Sequence, residues 1–554
     1  MQKLQVFVSC VEGQRQLGLS RNPLYLSELL KDPHQTMILT KPLPSSQAYE
    51  QLALWKARLE GRLGSLWWHI LTFRTAPEFF KTTSTGELED ALKAIENLLA
   101  GRILSEAQIL TTLRKRGYWP SLLSGALDLG VFRGVLRQYP GFQLGSWGSL
   151  TCTRCQMENP ILRPCVNCGS QECWYCLGCE SMGGNRGCST LLTSAQPFKV
   201  ETAGAVRLKL DFALTKAQEG AALELLDFWE GDQGQALVWA ACGAGKTEVT
   251  FPLIQRALEA GEQVLFAIPR TDIVREMVER LEKAFPQTAI AAHYGGQPWL
   301  ASGQLVVATT HQVLHFYQRF QLVILDEVDA FPYQGNEILR LGLLRSLAPG
   351  GKLVEMTATP PATKRYERVI TIPARYHGYP LPEPQLILKA LPPWEELVAE
   401  DLPGFLVDLL QDPSQPWLIF APTIAACEKL QRVLGGVLPF EIGVCHSQEP
   451  ERIKTIQRFR TGELPVLVTT SVLERGVNFP KVGVVVLYAD HGVFSTSALV
   501  QIAGRVGRTA QFPTGKVLFV GARKTASITQ AIRLIRQLNQ EAYMRGLLHH
   551  DVLS

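Results

Sequence analysis

One stretch constrains the fold more than any other: Leu237-Val-Trp-Ala-Ala-Cys-Gly-Ala-Gly-Lys-Thr-Glu248, where a short apolar run turns through two glycines into a helical pattern. It reads as a phosphate-binding loop that follows a buried strand. Around Gly243, Ala244 and Gly245 successive backbone N–H groups can point at a phosphate. Lys246 can reach the β and γ phosphates, the Thr247 hydroxyl can ligate Mg²⁺, and Glu248 opens the helix. Ala240 stands where the strict pattern has its first glycine.

A chain of 554 residues implies several domains, and 46% hydrophobic with 19% charged residues is a globular composition with enough material for buried sheets. The net charge is only +4. Any nucleic-acid surface is therefore a local groove, not a general basic coat. The start, Met1 to Cys10, lacks the apolar core of a signal peptide, and no apolar run approaches the ~20 residues of a membrane helix. These features lead us to expect a cytosolic protein. Eight of the 12 cysteines crowd between Cys152 and Cys188, and in a reducing compartment such a cluster binds metal more often than it forms disulfides.

The first forty residues mix short apolar runs with prolines and carry no legible chemistry. From Ser45 to about Leu71, and again from Glu87 to Leu99, the apolar spacing is helical. Ser105-Glu-Ala-Gln108 spells a capping box, Gly117 breaks the helix it opens, and Leu122, Leu123, Leu127 and Leu129 resume the pattern. Helix, glycine turn, helix suits either a plain accessory domain or a DNA reader with Arg114, Lys115 and Arg116 at its turn. Residues 1–145 are expected to form a mainly helical accessory domain.

Cys152-x-x-Cys155, Cys165-x-x-Cys168 and Cys176-x-x-Cys179 are three knuckles, with Cys173 and Cys188 as two further thiols. Eight thiolates suffice for two closed Cys₄ zinc sites, structural in kind. Sequential pairing would group the first two knuckles; interleaving would join the first and third. Spacing does not choose between them. Thioredoxin-like redox chemistry lacks a βαβ context here. The zinc-binding module is assigned to residues 146–192.

Beyond the module, Gln218 lies at the start of an apolar helix and can offer a donor and an acceptor to an adenine edge. Strand, turn and helix then repeat as in a parallel α/β sheet through Gln263–Pro269, Leu305–His311 and Leu322–Leu325. The last of these ends in Asp326-Glu-Val-Asp329. An acidic residue at a strand's carboxyl end can face the Mg²⁺ of a neighbouring phosphate loop, so Asp326 can hold the metal while Glu327 activates the attacking water. Thr357-Ala-Thr359 closes another strand, and its hydroxyls can link nucleotide state to lobe movement.

Gln218, the Lys246 loop, Asp326–Asp329 and Thr357–Thr359, in this order, resemble the superfamily-two helicases. Cys242–Glu248, Pro269-Arg-Thr-Asp272, Leu325–Tyr333 and Ile372-Pro-Ala-Arg375 with Pro380–Pro384 are similar to ComFA, the late competence helicases of transformable bacteria. That family carries a four-cysteine zinc module before its motor, and the resemblance equates those four with Cys152, Cys155, Cys176 and Cys179. It implies two RecA-like parallel-sheet lobes, residues 193–380 and 401–554, joined by a proline-rich linker at 381–400. It further implies ATP and Mg²⁺ as cofactors, with Zn²⁺ at the four-cysteine site; the eight thiolates counted above raise the expected zinc to two.

In the second lobe, Val466–Asn478 resembles the segment that joins DNA contact to nucleotide, with Ser471 and Asn478 where relatives outside the competence family carry acidic residues. Gln501-Ile-Ala-Gly-Arg-Val-Gly-Arg508 is the most specific match. Its spacing puts Arg505 and Arg508 on one helix face, and the resemblance implies that with Gln501 they act on the γ-phosphate. Arg270, Thr310 and Thr470, at strand ends, are the expected DNA contacts. Ile528, Ile532, Ile535, Leu538 and Ala542 form a stripe for core docking.

The reading that follows is an ATP-driven single-stranded-DNA translocase. The resemblance adds a role in DNA uptake at the inner membrane face, with a ComFC-like protein and the uptake channel as partners and a homo-oligomer as one possible state. A replication-restart helicase of the PriA kind has its zinc module inside the motor, whereas here it precedes Gln218. A DNA-binding scaffold without turnover would not need Lys246, Asp326, Glu327, Arg505 and Arg508 together.

Overall fold

The computed structural model describes residues 3–11, 14–20, 36–38, 43–44, 51, 85–144, 149–158, 160–182, 184–196, 206–295, 303–361, 364–412, 414–474 and 479–549. Apart from Gln51, the helix expected over Ser45–Leu71 lies outside this set, as does Asn478.

The opening residues, which carry no legible pattern, form strands: β1 (Lys3–Val11), β2 (Gln14–Ser20), β3 (Thr36–Ile38) and β4 (Leu43–Pro44), the last three all antiparallel to β1. The accessory region is therefore not helical throughout. Its helices are α1 (Thr85–Leu99), α2 (Glu106–Arg114) and α3 (Pro120–Phe132), with short strands β5 (Leu104–Ser105) and β6 (Leu136–Pro140). The capping box forms as spelled: Gln108 N donates to Ser105 Oγ, and Ser105 N donates to Gln108 Oε1 at 2.9 Å. Gly117, at φ +94°, makes the turn before α3.

The cysteine-rich segment holds strands β7 (Phe142–Leu144), β8 (Leu150–Cys152), β9 (Ile161–Arg163), β10 (Cys173–Cys176) and β11 (Asn185–Arg186). Strand β12 (Thr190–Ser194) then pairs with both β5 and β6. The segment is thus an excursion out of one small sheet, which the chain leaves after β6 and rejoins at β12.

Lobe 1 runs α4 (Lys216–Glu230), β13 (Gln235–Ala240), α5 (Phe251–Glu259), β14 (Val264–Ile268), α6 (Thr271–Ala284), β15 (Ile290–His293), β16 (Leu305–Thr309), α7 (Thr310–Val313), β17 (Phe320–Leu325), α8 (Glu337–Ser346), β18 (Leu347–Thr357) and β19 (Arg368–Ile372). Its seven strands are all parallel, in the order β15-β16-β14-β17-β18-β13-β19. Strands covered on both faces need apolar residues at every position, which is why Val-Leu-Phe-Ala-Ile268 is buried throughout. Alternate residues feed different cores: Phe266 and Val307 point to one, Leu265 and Val306 to the other.

Lobe 2 follows with β20 (Gln385–Leu388), α9 (Gly404–Leu410), β21 (Trp417–Phe420), α10 (Ile424–Gly435), β22 (Ile442–Cys445), α11 (Arg452–Arg460), β23 (Val466–Thr469), β24 (Gly483–Leu487), α12 (Thr496–Ala503), β25 (Val517–Gly521) and α13 (Ala526–Met544). The parallel order is β20-β25-β24-β21-β23-β22. Strand β20 comes from the proline-rich stretch read as a linker, which therefore also supplies an edge of this sheet. The stripe on α13 is core, with Ile528, Ile535, Leu538 and Ala542 buried and Ile532 half-buried against them. One apolar core runs through both lobes, from Phe266 to Phe420 and Val486, so the two sheets are joined through packed side chains rather than by the connection alone.

Candidate active site

The phosphate loop leaves β13 at Ala240, whose place as the last strand residue, paired with Ile372, explains why no glycine is needed there. The left-handed backbone falls instead on Gly243 (φ +83°) and Gly245 (φ +71°). At Gly245 a Cβ would lie 2.2 Å from Gln218 Nε2, so the loop can approach Gln218 only as glycine. Gln218, expected to offer a donor and an acceptor to an adenine edge, is held against the loop by its amide. Its Nε2 donates to the Ala244 carbonyl at 2.9 Å, and its Oε1 accepts from Thr215 N at 2.8 Å, so both ends of the amide hold protein. Ala244 and Thr247 are buried, and Glu248 is paired with Arg280.

Lys246 Nζ lies 2.7 Å from Asp326 Oδ1. Burial pushes the lysine pKa down, but Asp326, Glu327 and Asp329 together outweigh it and leave the ammonium firmly charged. For Asp326 burial comes first and raises the carboxyl; the Lys246 charge opposes it and Glu327 adds to it. Asp326 and Glu327 offer carboxylate oxygens of the kind a hard divalent cation takes. Glu327 sits at φ +55°, a left-handed conformation unusual outside glycine, and its N–H donates to Asp326 Oδ1 at 2.8 Å. Asp329 ties this strand end to the next: Thr357 Oγ1 donates to its Oδ1 at 2.7 Å and Thr359 Oγ1 to its Oδ2 at 2.8 Å.

Lobe 2 closes on this loop. Helix α12 ends at Ala503, so Arg505 and Arg508 stand on a glycine-bounded turn rather than on a helix face, as the spacing suggested. Gly507 at φ +69° makes that turn. Arg505 Nε donates to the Glu474 carbonyl at 3.0 Å and Arg508 Nε to that of Gly504 at 2.9 Å. Burial lowers the basicity of both guanidiniums, Arg505 strongly, while Glu327 pulls each the other way. Gln501 is buried, and its Oε1 accepts from the Cys242 thiol at 3.5 Å.

Two residues of this seam escaped sequence reasoning. Arg375, 2% exposed, donates from Nε to the Cys242 carbonyl at 3.1 Å and from Nη1 and Nη2 to the carbonyls of Gly507 and Gly504, clamping the phosphate loop to the arginine turn. Burial brings its pKa down to about 10. Its place just after a buried strand and in the Ile372-Pro-Ala-Arg375 stretch marked the residue, but neither pointed to a clamp between the lobes. Ser497 at the start of α12 donates to Asp329 Oδ2 across the lobes, and nothing in its context marked it.

The expected DNA contacts fare unevenly. Arg270 caps α6 at the end of β14 and pairs loosely with Asp272 at 3.5 Å; Thr470 is half-buried at the end of β23. Thr310 is 1% exposed and cannot touch a strand without local opening.

The eight thiols form two groups, Cys152, Cys155, Cys176 and Cys179, then Cys165, Cys168, Cys173 and Cys188. This is the interleaved arrangement. Sγ–Sγ distances of 3.7 Å (Cys152–Cys179), 3.4 Å (Cys155–Cys176) and 3.7 Å (Cys165–Cys188) are close to the ~3.8 Å edge of a tetrahedron with ~2.3 Å metal–sulfur bonds. Asn185, wholly buried, donates from Nδ2 to Cys152 Sγ at 3.2 Å, a partner to a thiolate that sequence did not suggest. The first group lies inside the core that packs on lobe 1, where Gly178 meets Ile338 of α8 and the Arg154 carbonyl accepts from Arg345. The second is more exposed, with Val166 at 94% and Cys168 and Cys188 half-buried.

No helix among the described residues is long and apolar enough to cross a membrane. Residues 211–362 match the family described as type III restriction enzyme, res subunit, and residues 401–510 the helicase conserved C-terminal domain. The competence protein ComFA of Bacillus subtilis is 34% identical over 402 residues, spanning 71% of this chain and 86% of that protein. ComFA of Streptococcus pneumoniae is 37% identical, over 60% of this chain and 79% of its own. The ATP-dependent DNA helicase RecG of S. pneumoniae is 27% identical over 56% of this chain and 49% of its own. With both helicase domains matched and most of a curated ComFA covered at this identity, the chain belongs to the ComFA competence proteins and is an ATP-hydrolysing superfamily-two helicase.

Proposed function

We propose that the protein is a single-stranded-DNA translocase that draws DNA into the cell during natural transformation. The observation that carries the enzymatic half is the seam between the lobes: Lys246 and Asp326 at 2.7 Å on one side, buried Arg505 and half-buried Arg508 on the other, and Arg375 bonded to both. Guanidiniums whose basicity is depressed by burial regain it when an anion arrives, so the turn suits the γ-phosphate of ATP. Lys246 and Gly243–Thr247 would bind the phosphates, Thr247 and Asp326 would hold Mg²⁺, which supplies charge to the phosphate oxygens, and Glu327 is placed to take the proton of the attacking water. Gln501, Arg505 and Arg508 complete the site only when the lobes are closed, so hydrolysis alternates closed and open forms and can step the lobes along a strand.

Arg270 and Thr470 contact that strand at the carboxyl ends of β14 and β23. The two cysteine groups suit structural Zn²⁺, which supplies folding energy to a segment with few aliphatic residues of its own. Relationship to competence proteins supports action at the inner face of the membrane, with a ComFC-like partner and the uptake channel. Pulldown of purified protein with single-stranded, duplex and RNA oligonucleotides tests the substrate, and preference for duplex or RNA would overturn it.

A further inference from the structure

A cavity of about 990 Å³ opens between the lobes beside the nucleotide residues. Tyr333, Glu355 and Tyr366 of lobe 1 face Ser497 and Gln530 of lobe 2 across it. Its charge argues against a phosphate ligand. Arg340 is paired with Glu337 and Lys364 with Glu355, while Asp329 adds a further negative charge, so among the described lining residues no cation is left over for an anion. What the walls offer is aromatic surface and neutral hydrogen bonding.

The Tyr333 side chain is buried, and among the described residues neither its Oη nor that of Tyr366 has a partner within hydrogen-bond geometry. Burial first, and then the Glu355 carboxylate, raises both phenols, so each keeps its proton and can donate it. The place on the sheet matters too. Along the carboxyl edge of lobe 1 the loops follow in the order β16, β14, β17, β18, β13, so the loop after β17 lies between Arg270 and the phosphate loop. That loop carries Phe331, 87% exposed, and its two ends, Asp329 and Tyr333, line the cavity.

We propose that this cavity receives a nucleobase of the bound single strand, its acceptors met by the Tyr333 and Tyr366 hydroxyls, with Phe331 as the stacking platform for a neighbouring base. The inference rests on the single-strand reading above. Asp329, Thr359 and Ser497 line the same space, so an inserted base presses on the hydrogen bond that joins the lobes and can report DNA to the arginine turn.

The test compares ATP hydrolysis by the full chain, titrated with oligo(dT) and with an oligomer of equal length whose sugars carry no bases. Base stacking is worth ~1–3 kcal/mol, so the wild-type protein should need about tenfold or more of the abasic oligomer to reach half-maximal stimulation. Phe331→Ala and the double variant Tyr333→Phe/Tyr366→Phe should keep basal hydrolysis and lose that discrimination. Equal response of the wild type to both oligomers would overturn the base site while leaving the single-strand reading intact. Variants that still discriminate would overturn the assignment to these residues. Stimulation by neither oligomer would overturn the parent reading and this one with it.

Discussion

Cys242 of the phosphate loop lies against Gly504 of the arginine turn so closely that a Cβ on Gly504 would come within 2.4 Å of the Cys242 Cβ. The lobes can meet only because position 504 has no side chain. Overpacking of this kind costs ~1–3 kcal/mol, here charged against the closed form alone. Gly504→Ala should therefore lower turnover by about tenfold or more while each lobe keeps its fold. Stopped-flow ATPase with circular dichroism checks this; wild-type turnover would mean that the closed seam is not the hydrolytic form.

Arg508→Ala should bind ATP and hydrolyse it ~10³–10⁵ times more slowly, the worth of an arginine aimed at a transferring phosphoryl group. Nucleotide affinity measured by a fluorescent analogue separates the two effects. An equal fall in affinity and rate would place Arg508 away from the γ-phosphate.

Metal analysis should return about two zinc ions per chain, one for each thiol group. Serine at Cys165, Cys168, Cys173 and Cys188 together should remove one and spare the ATPase, because that group is the exposed one. Cys152→Ser should do more harm. Its group shares a core with Leu339 and Leu343 of α8, so loss of the metal loosens the module's seat on lobe 1. One zinc per chain in the wild type would refute the two-site arrangement.

The seam between accessory region and lobe 1 should weaken in mild acid. His315, whose carbonyl accepts from Ile103 N at 3.2 Å, is held down to about 4, by burial first and then by the Arg154 charge. The folded pKa lies below the unfolded value of 6.5, so the unfolded chain binds the proton first and stability falls as pH drops from about 6.5 towards 4. Between pH 7.5 and 5.5 the loss is about 1.4 kcal/mol. Urea melts at both values should show it in the wild type and not in His315→Gln; identical slopes would exclude His315 as the cause.

Much of the nucleotide site was legible because each part is a local event at the end of a buried strand. Lys246, Asp326, Glu327 and the Thr357–Thr359 hydroxyls are placed by two or three residues of backbone, and those residues are contiguous in sequence. The apolar runs of β13, β14 and β17 announced the parallel sheet for the same reason. What sequence missed depends on contacts made over long separations. Cys152 meets Cys179 only because β10 and β11 fold back as a hairpin, Arg375 clamps the seam only because β19 sits beside β13, and Thr310 is buried by the layer above its strand end. The arginine turn was misread as helix because helical spacing matched it equally well, and only Gly504 and Gly507 hinted otherwise.

The most direct measurement of the central claim is steady-state ATP hydrolysis by the purified chain alone and with single-stranded DNA, duplex DNA or RNA, with Lys246→Ala as control. The expected result is slow basal turnover, strong stimulation by single-stranded DNA above the other two, and none of either in the lysine variant. Turnover indifferent to single-stranded DNA, or near-normal turnover in Lys246→Ala, would contradict it.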